Sequence, residues 1–315
     1  MKDIKENKLL VSIVVITYNS ADFILDTLES VKNQTYKNIE LIITDDKSKD
    51  NTIEICKKWL DENSKEFINS RIIITENNSG IPANCNRGIH AANGEWIKII
   101  AGDDILLPDA IENYVLFAEQ NQECEIIHAK VIRMVHQGDK IEKINAEKYP
   151  KTLHHKMSPK TQFKLLKFST IVLAPTVFMK KKLLENLDYF DESIKLCEDW
   201  PFWLKLTLNG KKFYFFNKET VIYRIHDKSV YSGSENKFFI NPFHAVQKSI
   251  YEKYIRKNIN FIEKIIFDSH YKLMEKFFKF NEKPSNYGKL IYNLLRMPYR
   301  VYSKLVFIIY NKRVC

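Results

Sequence analysis

The chain has 315 residues, 45% hydrophobic and 28% charged, which suits one large core or a main domain with an appendage. Five scattered cysteines (Cys56, Cys85, Cys124, Cys197, Cys315) speak against a zinc ribbon or disulfide framework and for a reducing cytosol. The start, MKDIKENKLL, has no apolar core for a secretory signal, and Arg296, Arg300 and Lys304 break the last apolar stretch, so no spanning helix is expected. The net charge of +10 is uneven: residues 251–315 hold 14 Lys/Arg against 5 Asp/Glu, and no acid follows Glu282.

Leu9 to Ile16 is a nearly continuous β-branched run, as expected of a strand covered on both faces. Ser20 can cap a helix whose apolar positions Phe23, Ile24, Leu28 and Val31 fall at helical spacing. A second strand at Ile39–Ile43, a helix over Ile53–Leu60 and a third strand at Arg71–Thr75 follow. Pro82 opens a helix towards Ala92, Glu95–Ile100 is a fourth strand, Pro108 opens another helix, and Glu125–Ile132 is a fifth strand. The polar stretch Glu142–Lys160 reads as a loop. Beyond it come a strand near Ile171–Met179, a helix from Glu198 to Leu208, and strands at Phe213–Phe216 and Thr220–Ile225. From Phe238 the pattern is helical, which places a boundary at 235–245: a sheet domain over 1–235 and a basic helical extension over 236–315.

The βαβα order predicts an α/β fold, with a mostly parallel sheet flanked by helices and ligands at the carboxyl ends of its strands. Three polar loops fall there: Thr17-Tyr18-Asn19, Asp45-Asp46-Lys47-Ser48 and Gly102-Asp103-Asp104. Adjacent carboxylates repel unless a cation or strong donors sit between them. Hard oxygen ligands favour Mg²⁺ or Mn²⁺ shared with a substrate's phosphates, although Gly-Asp-Asp is also ordinary turn chemistry. Asp46 could accept a nucleobase N–H and Tyr18 could offer a flat face to the base. Glu198-Asp199 starts a helix, where acids serve as caps or, in a cleft, as a general base. His226, in Tyr223-Arg224-Ile225-His226, could complete an oxygen-rich metal site. No Gly-rich dinucleotide or phosphate loop follows any strand.

The motif series resembles glycosyltransferase family 2, the inverting enzymes with a GT-A fold. The matching segments are Val14-Val15-Ile16-Thr17-Tyr18-Asn19, Ile42-Ile43-Thr44-Asp45-Asp46-Lys47-Ser48, Asn78-Ser79-Gly80-Ile81 and Asn86-Arg87-Gly88-Ile89. They continue through Gly94-Glu95-Trp96-Ile97, Gly102-Asp103-Asp104 with Pro108, Glu198-Asp199-Trp200 and Tyr223-Arg224-Ile225-His226, so the resemblance covers roughly residues 9 to 230. It implies that Tyr18 and Asp46 hold the nucleobase, with Thr17 and Asn19 shaping the pocket. Asp103 and Asp104 look like the Asp-x-Asp element for ribose and metal, although Ala101 stands where that element usually has its first Asp. His226 is implied as a further metal ligand. Asp199 is implied as the base that activates the acceptor, beside Glu198. Cys85 departs from the Arg often found there.

The implied activity is sugar transfer from a nucleotide sugar, expected to be UDP-linked, to a glycan or lipid-linked acceptor in surface-polysaccharide synthesis, with Mn²⁺ or Mg²⁺. The expected place is the cytoplasm, peripheral on the inner face of the plasma membrane. The basic aromatic tail suits an anionic membrane surface, with a solvated helical face as the plain alternative, and no nucleic-acid partner is expected. A metal-dependent nucleotidyl- or phosphotransferase on a similar sheet is the rival reading of the Asp pairs.

Overall fold

The structure, a computed structural model, describes residues 9–137, 140–145, 153–226, 243–278 and 286–311. The first compact unit consists of residues 1–155, 172–199 and 213–224, the second of 156–171, 200–212 and 225–315. Two internal segments thus belong with the C-terminal helices. The expected boundary at 235/236 lies outside the described residues.

In the first unit the chain runs β1 (Val11–Thr17), α1 (Ile24–Lys32), β2 (Ile39–Asp45), α2 (Thr52–Asn63), β3 (Asn69–Ile74), α3 (Ile81–Ala91) and β4 (Trp96–Ala101). It continues with β5 (Ile105–Leu106), α4 (Ala110–Gln120), β6 (Ile126–Gln137) and β7 (Lys140–Asn145). Then, after α5 (Pro159–Leu166) of the second unit, come β8 (Val177–Lys180) and α6 (Lys181–Asn186), and, after α7 (Asp199–Leu208), β9 (Tyr214–Ile225). Among the described residues these nine strands form one sheet in the order β3-β2-β1-β4-β8-β6-β9-β5, with β7 on β6.

β1 pairs in parallel with both β2 and β4, and β2 with β3. β4 and β6 pair antiparallel with β8, β5 with β9, and β6 with β7. The β-branched runs of β1 and β2 are buried almost throughout, as helices on both faces require. Their core joins Val11, Ile13 and Val15 to Leu28 and Val31 of α1, to Trp59 of α2 and to Tyr114 of α4. Gly88 of α3 is a contact of necessity: a Cβ there would come within 2.2 Å of Val14 Cγ1.

Several sequence expectations need correction. The residue that caps α1 is Phe23, not Ser20, whose carbonyl accepts the Phe23 and Ile24 N–H groups in a preceding turn (both 2.9 Å). Lys140–Asn145, at the start of the expected loop, pairs with β6 as β7, and α5 lies at its end; residues 146–152 between them are outside the described residues. The two short strands expected after Phe213 are one strand, β9.

In the second unit, α8 (His244–Ile250), α9 (Phe261–Phe278), α10 (Asn286–Leu295) and α11 (Met297–Asn311) gather with α5 and α7. No described helix is long and apolar enough to cross a membrane.

Candidate active site

The parallel register brings Thr17 beside Asp45 and Ile16 beside Ala101, so the loops after β1, β2 and β4 leave the sheet along one edge. The first two loops are laced together. Thr17 Oγ1 donates to Asp45 Oδ2 (2.7 Å), and Asp45 also accepts from the Ser48 amide and hydroxyl (2.7 and 2.5 Å). Asn19, at φ 52°, takes the left-handed conformation that Asn tolerates. From there its N–H donates to Ser48 Oγ and its Oδ1 accepts the Lys49 N–H (both 2.8 Å). Thr17 and Asn19 therefore build the loops. Tyr18 between them is 45% exposed and presents its ring outward.

Asp46 is buried and meets four protein donors. The Ser79 and Gly80 amides lie at 3.1 and 2.8 Å, Ser79 Oγ at 2.9 Å and Arg87 Nη2 at 2.6 Å. Burial works to raise its pKa, but Arg87 and the Ser79 and Gly80 donors outweigh that and hold the carboxyl below its usual range. Asp46 is thus the hub of a network that ties the end of β2 to the start of α3. Arg87, which the sequence reading quoted without a role, also donates to Ser79 Oγ (2.6 Å) and Asn84 Oδ1 (3.0 Å). Gly80 adopts φ +94°, where a Cβ would stand 2.7 Å from the Lys195 carbonyl. That carbonyl accepts the Ile81 N–H (3.0 Å), so the start of α3 presses on the loop that leads to Glu198 and Asp199. Asn86 fastens the same loop, bonding to the Phe190 carbonyl (3.0 Å) and Glu192 Oε1 (2.8 Å).

Asp103 and Asp104 have different surroundings. Asp104 is buried, and its Oδ1 accepts the Arg224 amide of β9 (3.0 Å). Burial, then the charge of Asp103, raises its pKa well above the usual carboxylate range. Asp103 is half-buried and so keeps accessible surface. Arg224 is committed to Asp26 (2.9 Å) and to the Phe23 ring (4.8 Å).

Asp199 heads α7, where the backbone dipole favours a carboxylate, and its Oδ1 accepts from Cys197 Sγ (3.3 Å). Glu198 is half-buried by surface, yet its carboxyl is enclosed enough that burial, then the charge of Asp199, raises its pKa. Tyr223 precedes Arg224 on β9, and three acids act on its hydroxyl. Burial, then the charges of Asp104, Asp103 and Asp199, push its hydroxyl up to about 12. The buried Cys85 thiol is likewise raised by burial and then by Glu198. The sequence reading quoted Tyr223 only as part of a motif; its place beside the acids depends on the pairing of β9 with β5, which strand periodicity does not reveal.

His226 follows directly after β9 and belongs to the second unit. Among the described residues no three His, Cys, Asp or Glu side chains are grouped to hold a metal ion. A divalent cation still fits the two acids. Mg²⁺ commonly takes one or two carboxylates and completes its shell with substrate phosphates and water, and the mutual repulsion of Asp103 and Asp104 is what such a charge relieves.

The profile of Glycosyl transferase family 2 matches residues 12–187. The chain belongs to this family. Membership decides between the two readings of the Asp pairs: this is a glycosyltransferase, not a nucleotidyltransferase. An uncharacterised glycosyltransferase of Methanocaldococcus jannaschii is 28% identical over 242 residues, 76% of this chain and 79% of its own. The Escherichia coli UDP-Glc:alpha-D-GlcNAc-diphosphoundecaprenol beta-1,3-glucosyltransferase WfaP is 32% identical over 73% of this chain and 81% of its own. Among solved structures, S. aureus TarS 1-349 in complex with UDP-GlcNAc superposes with a TM-score of 0.59 at 21% identity, over 86% of this chain and 73% of that one. That likeness shows the GT-A fold.

Proposed function

We propose that this family 2 transferase moves a sugar from a UDP-sugar to a hydroxyl of a glycan or lipid-linked oligosaccharide, with inversion, in cell-surface polysaccharide assembly. The observation that carries the reading is the row of loops at the ends of β1, β2 and β4, where Asp46 is held by Gly80 and Arg87 and Asp104 by the Arg224 amide, with Asp103 half-buried beside it. The names of WfaP and of the poly(ribitol-phosphate) glucosyl- and N-acetylglucosaminyltransferases support the donor and the acceptor class. The chain matches only 30% and 40% of the length of the latter two.

Residues 1–235 carry the chemistry in this reading, and 236–315 form the basic extension. Tyr18 stacks on the base, and the Asp46–Arg87 wall meets its polar edge. Asp103 and Asp104 hold a divalent cation together with the donor diphosphate, with His226 as a candidate third ligand. When bound, the cation stabilises the negative charge of the departing nucleotide. Asp199 takes the proton of the acceptor hydroxyl, whose oxygen forms the new bond to the anomeric carbon as the bond to the diphosphate breaks. Attack opposite the leaving group inverts that carbon. Glu198, whose pKa is raised by burial and then by the charge of Asp199, stands beside that base. The enzyme works in the cytoplasm, in peripheral contact with an anionic membrane.

A thermal-shift panel of UDP, GDP and CDP with Mn²⁺ tests the donor. UDP should raise the melting midpoint most, and chelation should remove most of the gain. An equal response to all three nucleotides would end the UDP assignment.

A further inference from the structure

The C-terminal helices present two apolar faces, and among the described residues only one of them has a partner. The inner face of α11 is anchored. Tyr299 stacks on His270 with ring centroids 3.8 Å apart, the Tyr302 hydroxyl donates to Glu263, and Lys164 Nζ donates to the Tyr310 hydroxyl (2.6 Å). Tyr292 and Val306 are buried on the same side. A helix held this firmly has no need of apolar residues on its outside.

It has them nonetheless. Leu290 and Leu294 of α10 and Met297, Val301, Leu305 and Ile308 of α11 recur every three or four residues, and each is 47–60% exposed. The Arg296 amide bonds to the Tyr292 carbonyl (3.0 Å) and the Arg300 amide to that of Arg296 (3.1 Å), so helical phase continues across the junction. The six side chains therefore form one stripe along a single helical path. Tyr287, 73% exposed, extends its start, and Arg300 and Lys304 flank it one turn apart on α11.

We propose that this outer stripe is a membrane-docking face, which lies flat in the interface of an anionic bilayer with Arg300 and Lys304 at the headgroups. This deepens the peripheral contact read above and rests on it. Lys289, Arg296, Arg300 and Lys304 interrupt this path, and no described helix is long and apolar enough to cross a membrane, so the stripe suits the interface and not the hydrocarbon core. Charge selects the partner. Residues 283–315 carry seven Lys or Arg and no acid, so a second copy would set positive charge against positive charge, whereas anionic headgroups complement it.

Sedimentation of the full chain with phosphatidylglycerol–phosphatidylcholine vesicles, without donor or metal, tests the face independently of catalysis. The wild type should bind these vesicles, release them with salt, and ignore pure phosphatidylcholine. The triple variant Leu294→Gln, Leu305→Gln, Ile308→Gln changes only exposed side chains and should keep the melting midpoint while binding more than tenfold more weakly. Arg300→Gln with Lys304→Gln should lose about fivefold per charge. Wild-type binding by the triple variant would overturn the face and leave peripheral contact standing; no vesicle binding by the wild type would overturn both. A concentration-dependent dimer that only the triple variant abolishes would instead assign the stripe to a second copy and also overturn the proposal.

Discussion

At the residue scale, the two acidic pairs show what a sequence carries and what it does not. Asp103-Asp104 reads as an undivided pair, and Asp46 takes a role that its neighbour Asp45 does not; the fold separates the members of both pairs. Asp45 closes its own loop through Thr17 and Ser48, while Asp46 gathers Ser79, Gly80 and Arg87. Asp104 faces inward to the Arg224 amide, and Asp103 keeps surface for a ligand. Apart from Ser48, three residues from Asp45, those partners lie 28 to 120 residues away, out of reach of any local pattern. Arg87→Gln should therefore cost about 1.5–3 kcal/mol in urea unfolding, the worth of a charged hydrogen bond to a buried partner, and should weaken UDP binding as well. Asp46 sets a pH signature. Its folded pKa is depressed, so its stabilisation is present above the unfolded carboxylate value of about 4 and is lost as pH falls through the folded value. The acid limb of the wild-type stability profile should be steeper than that of Asp46→Asn, which is already less stable at neutral pH.

At the element scale, β1, β2, β4 and the helices between them were legible because each stretch states its own period: β-branched runs for buried strands and a proline at the first turn of α3. β7 and the unbroken β9 were not. Their polar residues alternate weakly, and what makes them strands is the neighbour each one meets, β6 for one and β5 for the other. The two glycines of the α3 region act at this scale. Gly88→Ala drives a methyl into Val14 and should destabilise by about 1–3 kcal/mol through displacement of α3 from β1. Gly80→Ala strains a left-handed residue and pushes on Lys195, in the loop that leads to Asp199. Its kcat should fall by more than its melting midpoint explains, since the loop shifts while the sheet stays intact. Equal turnover in Gly80→Ala would show that this loop does not set the position of Asp199.

At the scale of the whole molecule, the motif order along the chain carried the family, and the sheet explains why that order suffices. Parallel strands place successive loops along one edge, so residues 17 to 104 converge without any long-range information beyond strand direction. The later half follows a different logic: β8 pairs antiparallel with β4 and β6, and β9 with β5, and the chain passes twice into the helical unit before its end. Periodicity did not show those crossings, so the base role proposed for Asp199 was reached by resemblance alone.

The most direct test compares nucleotide binding with turnover in Asp199→Asn, using UDP-sugar, Mn²⁺ and an acceptor extract from the source cells. The account predicts UDP affinity close to wild type and sugar transfer reduced by a factor on the order of 10²–10⁴, the usual worth of a general base. Wild-type transfer by this variant would contradict it.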